Sequence, residues 1–112
     1  WKKNFLEAGE IIISAIVLGE LYFGFGKGTD ENKNLEILSK FLGDSKVKVF
    51  KVGSQTARIY SNIKHSLNEN GTPIPENDIW IAAGAIETDS ILASSDKHFL
   101  LIKDLKLIGI TK

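Results

Sequence analysis

The chain has 112 residues, 43% of them hydrophobic and 25% charged, and its 14 basic and 14 acidic side chains cancel to a formal charge of zero. Such a composition describes one compact domain able to bury a core, and the neutral balance excludes a broad electrostatic footprint for nucleic acid or an anionic membrane. The absence of cysteine excludes disulfide frameworks, zinc ribbons and thiol nucleophiles, while apolar stretches such as Ile11 to Leu18 are far too short to span a bilayer.

In chain order, Glu10 to Ile13 reads as a short buried strand, and Ser14 is a good N-cap for a helix over Ala15 to Phe25. Gly24, Gly26 and Gly28 supply helix-stop chemistry. Asp30 opens a second helix through about Leu42, where Leu35, Leu38 and Leu42 recur on one face before Gly43. The alternation V-K-V-F-K-V predicts a strand over Val47 to Val52. Ser54 then starts a long amphipathic helix through Glu69, with Ala57, Tyr60, Ile63 and Leu67 on the buried stripe. Asn70-Gly71 ends that helix, and Pro73 to Asn77 reads as a rigid loop. The next helix, Ile79 to Glu87, is apolar nearly all round and should be packed on several sides. Ile91 to Ala93 is a buried strand, Ser94 to Lys97 a turn, and Leu105 to Ile110 a last strand. No internal repeat, low-complexity stretch or linker interrupts this pattern.

Strands alternating with helices predict an α/β fold with an open, mainly parallel sheet and helices on both faces. In such sheets ligands gather at the carboxyl ends of the strands. Asp96 directly follows the strand Ile91 to Ala93 and belongs to that edge. The helix leading into this strand runs the opposite way, so its start, Asp78, returns to the same edge. Glu20 lies on the helix after the first visible strand, roughly 9 Å below the edge by helix rise. Three carboxylates carried on rigid elements are the donor type that a hard divalent cation takes.

Each of these residues also has a plainer role. Asp78 standing alone reads as a helix N-cap, Asp96 as a turn residue and Glu20 as a solvated helix position. Gly24-Phe25-Gly26-Lys27-Gly28 follows a helix instead of a strand, so it reads as a simple loop and not a phosphate cradle. His65 and His98 have no partner at ligand spacing, which assigns them solvated or structural places. Trp80 and Phe99 are aromatic enough to stack on bases, but core packing or a protein contact is the simpler use of both.

Taken together, the segments IIISAIVLGELYFGF, GTPIPENDIWIAAGAIETDSILASSDKHF and the terminal LKLIGI resemble the PIN-domain ribonucleases of the VapC toxin type. Glu20 stands at the family's helix acid, Asp78 at the start of its D-x-x-I-A-A motif and Asp96 within its S/T-x-D-x-x-F motif. The resemblance runs from about Glu10 to the C-terminus and implies a PIN-like fold over the single domain 1–112. It also implies a metal-dependent endoribonuclease toxin of a type II toxin–antitoxin pair, cytoplasmic, with RNA as substrate, an antitoxin protein as partner, and a homodimer as the expected assembly. Mg²⁺ or Mn²⁺ would be held by Glu20, Asp78 and Asp96, with Ser94 binding substrate. Family members begin with a strand whose end carries a further Asp ligand, whereas here no Asp precedes Asp30, and Glu7 and Glu10 are the upstream acids. The chain begins with Trp1 and has no methionine, so it reads as N-terminally truncated. The alternative function is therefore a non-catalytic PIN-like module that binds an antitoxin.

Overall fold

The computed structural model describes residues 11–109, so Trp1, Glu7, Glu10 and Ile110 lie outside the described residues. The order of elements is β1 (Ile11–Ser14), α1 (Ala15–Lys27), α2 (Glu31–Leu42), β2 (Val47–Phe50), α3 (Ser54–Glu69), α4 (Glu76–Glu87), β3 (Ile91–Ser94), a 3₁₀ turn (Lys97–Leu101) and β4 (Lys106–Gly109). This is an α/β arrangement with every described strand ladder parallel: β1 pairs with β2 and β3 with β4. The described residues divide into two compact units, one ending at Lys51 and one starting at Val52. No helix among the described residues is long and apolar enough to cross a membrane.

In the first unit the Ser14 hydroxyl caps α1 by accepting from the Ile16 amide at 3.1 Å. The helix continues through Gly24 and Gly26 to Lys27, two residues beyond the expected end, so the glycine-rich segment is helical and not a loop. A glycine costs only about 1 kcal/mol inside a helix, which the surrounding turns of α1 override; termination comes at Gly28, whose amide reaches back to the Phe25 carbonyl. Helices α1 and α2 provide the crossover that a parallel pair requires, and the register runs Ile11 with Val47 to Ser14 with Phe50. Among the described residues of this unit, Leu38 and Val47 are buried. The strand expected to reach Val52 stops at Phe50.

The second unit is built on an antiparallel pair of helices, α3 and α4. Three contacts fix their direction. Thr56 near the start of α3 donates to Glu87 at the end of α4, Tyr60 stacks on Trp80 with ring centroids 4.1 Å apart, and Lys64 pairs with Glu76 at the start of α4. Thr56, Ile63 and Leu67 form the buried stripe of α3. Thr56 takes the place expected of Ala57, which is exposed, because its hydroxyl accepts from the Gly53 amide while donating to Glu87. Buried polar groups need such partners. Helix α4 buries Ile79, Ile81, Ala82, Ala83 and Gly84, as its all-round apolar sequence implies. Phe99 in the 3₁₀ turn, Ile102 just after it and Ile74 before α4 are also buried.

Helix α4 starts three residues before the expected Ile79. Pro75 occupies the N-cap position, with its carbonyl accepting from the Asp78 amide at 3.1 Å. Asp78 is thus a first-turn residue and not the cap, and proline's fixed φ makes it a natural entry to a helix.

Candidate metal centre

Two of the acids singled out in the sequence meet in the second unit. Asp78 is held by the first turn of α4, where the exposed amides and the helix dipole favour negative charge. Asp96 follows β3 by two residues and caps the 3₁₀ turn, one carboxylate oxygen accepting from the His98 amide at 2.9 Å. The Ser94 hydroxyl at the end of β3 accepts from the Asp96 amide at 3.0 Å. These two local bonds set the direction in which the Asp96 carboxylate leaves the backbone.

Between the two carboxylates stands His98. Its Nδ1 lies 3.0 Å from Asp78 Oδ2 and 3.1 Å from Asp96 Oδ1. One donor atom each from Asp78, Asp96 and His98 falls within 4.8 Å of the other two, a grouping able to hold a metal ion. The Asp78 side chain is 15% exposed, whereas those of Asp96 and His98 are 44% and 46% exposed. The cluster is therefore open to solvent on one side and backed by protein on the Asp78 side. Two carboxylate oxygens match the oxygen donors of hard divalent cations, and imidazole is a common donor for transition metals, so the residues present fit such an ion.

His98 corrects the expectation of a histidine without partners. It stands two residues after Asp96 and 20 positions after Asp78, a separation that carries no helical or strand periodicity. The available signal was local: an Asp capping a tight turn brings the side chain two positions later beside its own carboxylate. Glu20 is an exposed residue of α1 in the other unit. Phe99 is core, at 5% exposure, and Trp80 is half-buried in its stack with Tyr60.

The PIN-domain family model matches residues 1–105. Ribonuclease VapC2 of Haemophilus influenzae is 35% identical over 89 residues, covering 80% of this chain and 66% of that protein, so the chain spans just under two thirds of this relative. Ribonuclease VapC2 of Rickettsia felis is 32% identical over 98 residues, covering 87% of this chain and 72% of the relative. The crystal structure of VapBC2 from Rickettsia felis, bound to a DNA fragment from their promoter, superimposes with a TM-score of 0.80 at 30% identity, covering 89% of this chain and 74% of that chain. The parallel α/β architecture, the match along nearly the whole chain and the identity to these relatives agree: the chain belongs to the PIN-domain family, among its VapC-type members.

Proposed function

We propose that this chain is the nuclease of a toxin–antitoxin pair, a divalent-cation-dependent endoribonuclease that acts on RNA in the cytoplasm and is restrained by an antitoxin protein. The observation that carries the reading is the convergence of Asp78 and Asp96, from two different elements, on one partly exposed point, in a chain whose relatives include VapC ribonucleases. The VapBC complex of Rickettsia felis supports the antitoxin as partner, and a homodimer is the assembly we assign to the toxin.

In this reading Asp78 and Asp96 hold Mg²⁺ or Mn²⁺; Glu20 as a further ligand rests on its place in the family's motif alone. The bound cation supplies Lewis acidity, easing deprotonation of water and neutralising charge on the phosphodiester. The residues themselves do the positioning. Asp96 is oriented by the His98 and Ser94 bonds, and Asp78 is fixed by the first turn of α4, so neither carboxylate needs to reorganise when a phosphate arrives. Ser94, whose oxygen already accepts from Asp96, retains a hydroxyl proton to donate to a phosphate oxygen.

The test is cleavage of a mixed RNA with Mn²⁺ beside an EDTA control, using wild type, Asp78→Asn and Asp96→Asn, each checked for native circular dichroism. EDTA should abolish cleavage. Each variant should lose more than the ~10–100-fold typical of a supporting residue around a metal. Full activity in EDTA, or in folded Asp78→Asn, refutes the reading; inactivity of folded wild type leaves antitoxin binding as the function of this chain.

A further inference from the structure

We propose that His98 Nδ1 is a direct protein donor to the cation, making the centre a mixed carboxylate–imidazole site that selects Mn²⁺ and later first-row ions over Mg²⁺. The inference rests on the cation-dependent reading above and adds to it both a ligand and a metal class.

The geometry supports it from three sides. First, the same ring nitrogen faces both carboxylates, at 3.0 and 3.1 Å. Neighbouring donors around an octahedral ion with bonds of about 2.1 Å are spaced ~3 Å apart, so each of these two separations suits a pair of neighbouring ligands, and all three donor atoms lie within 4.8 Å of one another. Second, His98 is fixed where it stands. Its own amide is bonded to Asp96 and the next residue, Phe99, is buried in the core, so the 3₁₀ turn holds the backbone that presents the imidazole. Third, imidazole nitrogen is a common metal donor, and Nδ1 is the ring atom directed at the carboxylates.

The consequence for metal choice follows from donor chemistry. Carboxylate and water donors suit Mg²⁺ and Mn²⁺ alike, whereas an imidazole nitrogen favours transition ions, with affinity rising from Mn²⁺ towards Co²⁺ and beyond. Mg²⁺ gains least from a nitrogen donor and keeps its waters reluctantly exchanged. A centre of Asp78, Asp96 and His98 should thus discriminate between the two ions more strongly than a purely carboxylate one.

Mn²⁺ binding is measured by electron paramagnetic resonance titration, and Mg²⁺ binding by its competition with Mn²⁺, for wild type, His98→Ala, His98→Asn and Asp78→Asn. Electron spin echo modulation of bound Mn²⁺ reads directly whether a nitrogen is coordinated. Wild type should show ¹⁴N modulation, and both His98 variants should lose it. Their preference for Mn²⁺ over Mg²⁺ should fall by about tenfold or more, in the range that metal-site substitutions produce. Because His98 is 46% exposed, neither variant should unfold, and native circular dichroism checks that. Bound Mn²⁺ without ¹⁴N modulation, or an unchanged preference in folded His98 variants, overturns the assignment of His98 while leaving the carboxylate site standing. Mn²⁺ failing to bind folded wild type overturns both, and loss of both ions in Asp78→Asn alone, with the His98 variants unchanged, confines the site to the carboxylates.

Discussion

Replacing Thr56 by valine tests whether the pairing of α3 with α4 depends on one buried hydroxyl. Thr56 is 0% exposed. Its hydroxyl donates to a Glu87 carboxylate oxygen across the helix pair and accepts from the Gly53 amide at the start of α3. Valine has nearly the same shape, so the substitution opens no cavity and even favours burial slightly. What is lost is a hydrogen bond to a charged acceptor, worth about 1.5–3 kcal/mol, because the half-buried Glu87 has poorer access to replacement water than an exposed carboxylate. The Gly53 amide is at an exposed residue and can turn to solvent, so it adds little. We expect a net destabilisation of about 2 kcal/mol. With an m-value of about 1–2 kcal/mol/M in urea, the unfolding midpoint should fall by roughly 1–2 M at unchanged m. Glu87→Gln keeps an acceptor opposite Thr56 and should cost less, and the double variant should show coupling of about 1 kcal/mol. A Thr56→Val midpoint within ~0.5 kcal/mol of wild type, by the same conversion, would refute the account.

Two further outcomes follow from the same helix pair. Hydrogen bonds from Lys64 and Tyr60, with the lysine's charge, hold the Glu76 carboxyl below its ordinary value. In the acid range the unfolded chain therefore binds the extra proton first. This contribution is present above the ordinary carboxylate value and is lost as pH falls through the lower folded one. Glu76→Gln should flatten the acid limb of a stability–pH profile, and salt should do the same, only slightly since the pair is exposed; an unchanged limb would remove the pair from the account. Ala83→Leu inserts bulk at a site with 0% exposure and should cost about 1–3 kcal/mol by overpacking, read as a lower thermal midpoint, whereas a neutral effect would show that the packing around α4 is loose.

Most elements were legible because their signals are local. Ser14 caps α1, Asn70-Gly71 closes α3, and the continuous apolar run of α4 announced a helix enclosed by its neighbours. The errors lie where local rules compete. Gly24 and Gly26 read as stops, yet α1 passes through them. Pro73 to Asn77 read as loop because prolines punctuate, although Pro75 stands immediately before the first helical residue, where its missing N–H costs no intrahelical bond. The amphipathic stripe was misjudged at Thr56 because a buried hydroxyl depends on Glu87, 31 positions away, and no periodicity records such a partner. The convergence of Asp78 and Asp96 could be reasoned from the direction of α4 relative to β3. His98 was missed because ligand spacing does not record it; the signal lay in the tight turn that Asp96 caps, which seats the residue two positions later beside the carboxylate.

Asp78 is followed directly by Ile79, which is 3% exposed, and His98 directly by Phe99, at 5%. Two of the three polar groups of the centre, Asp78 and His98, are thus one residue from an apolar anchor. Such adjacency makes the chemistry an early casualty of drift in the interior: a conservative exchange at Ile79 or Phe99 that shifts the backbone by a fraction of an ångström leaves a folded molecule with misaligned donors. Lineages that keep the shape while shedding the reaction need not touch an acid at all, and selection for the reaction reaches interior positions that never meet a substrate.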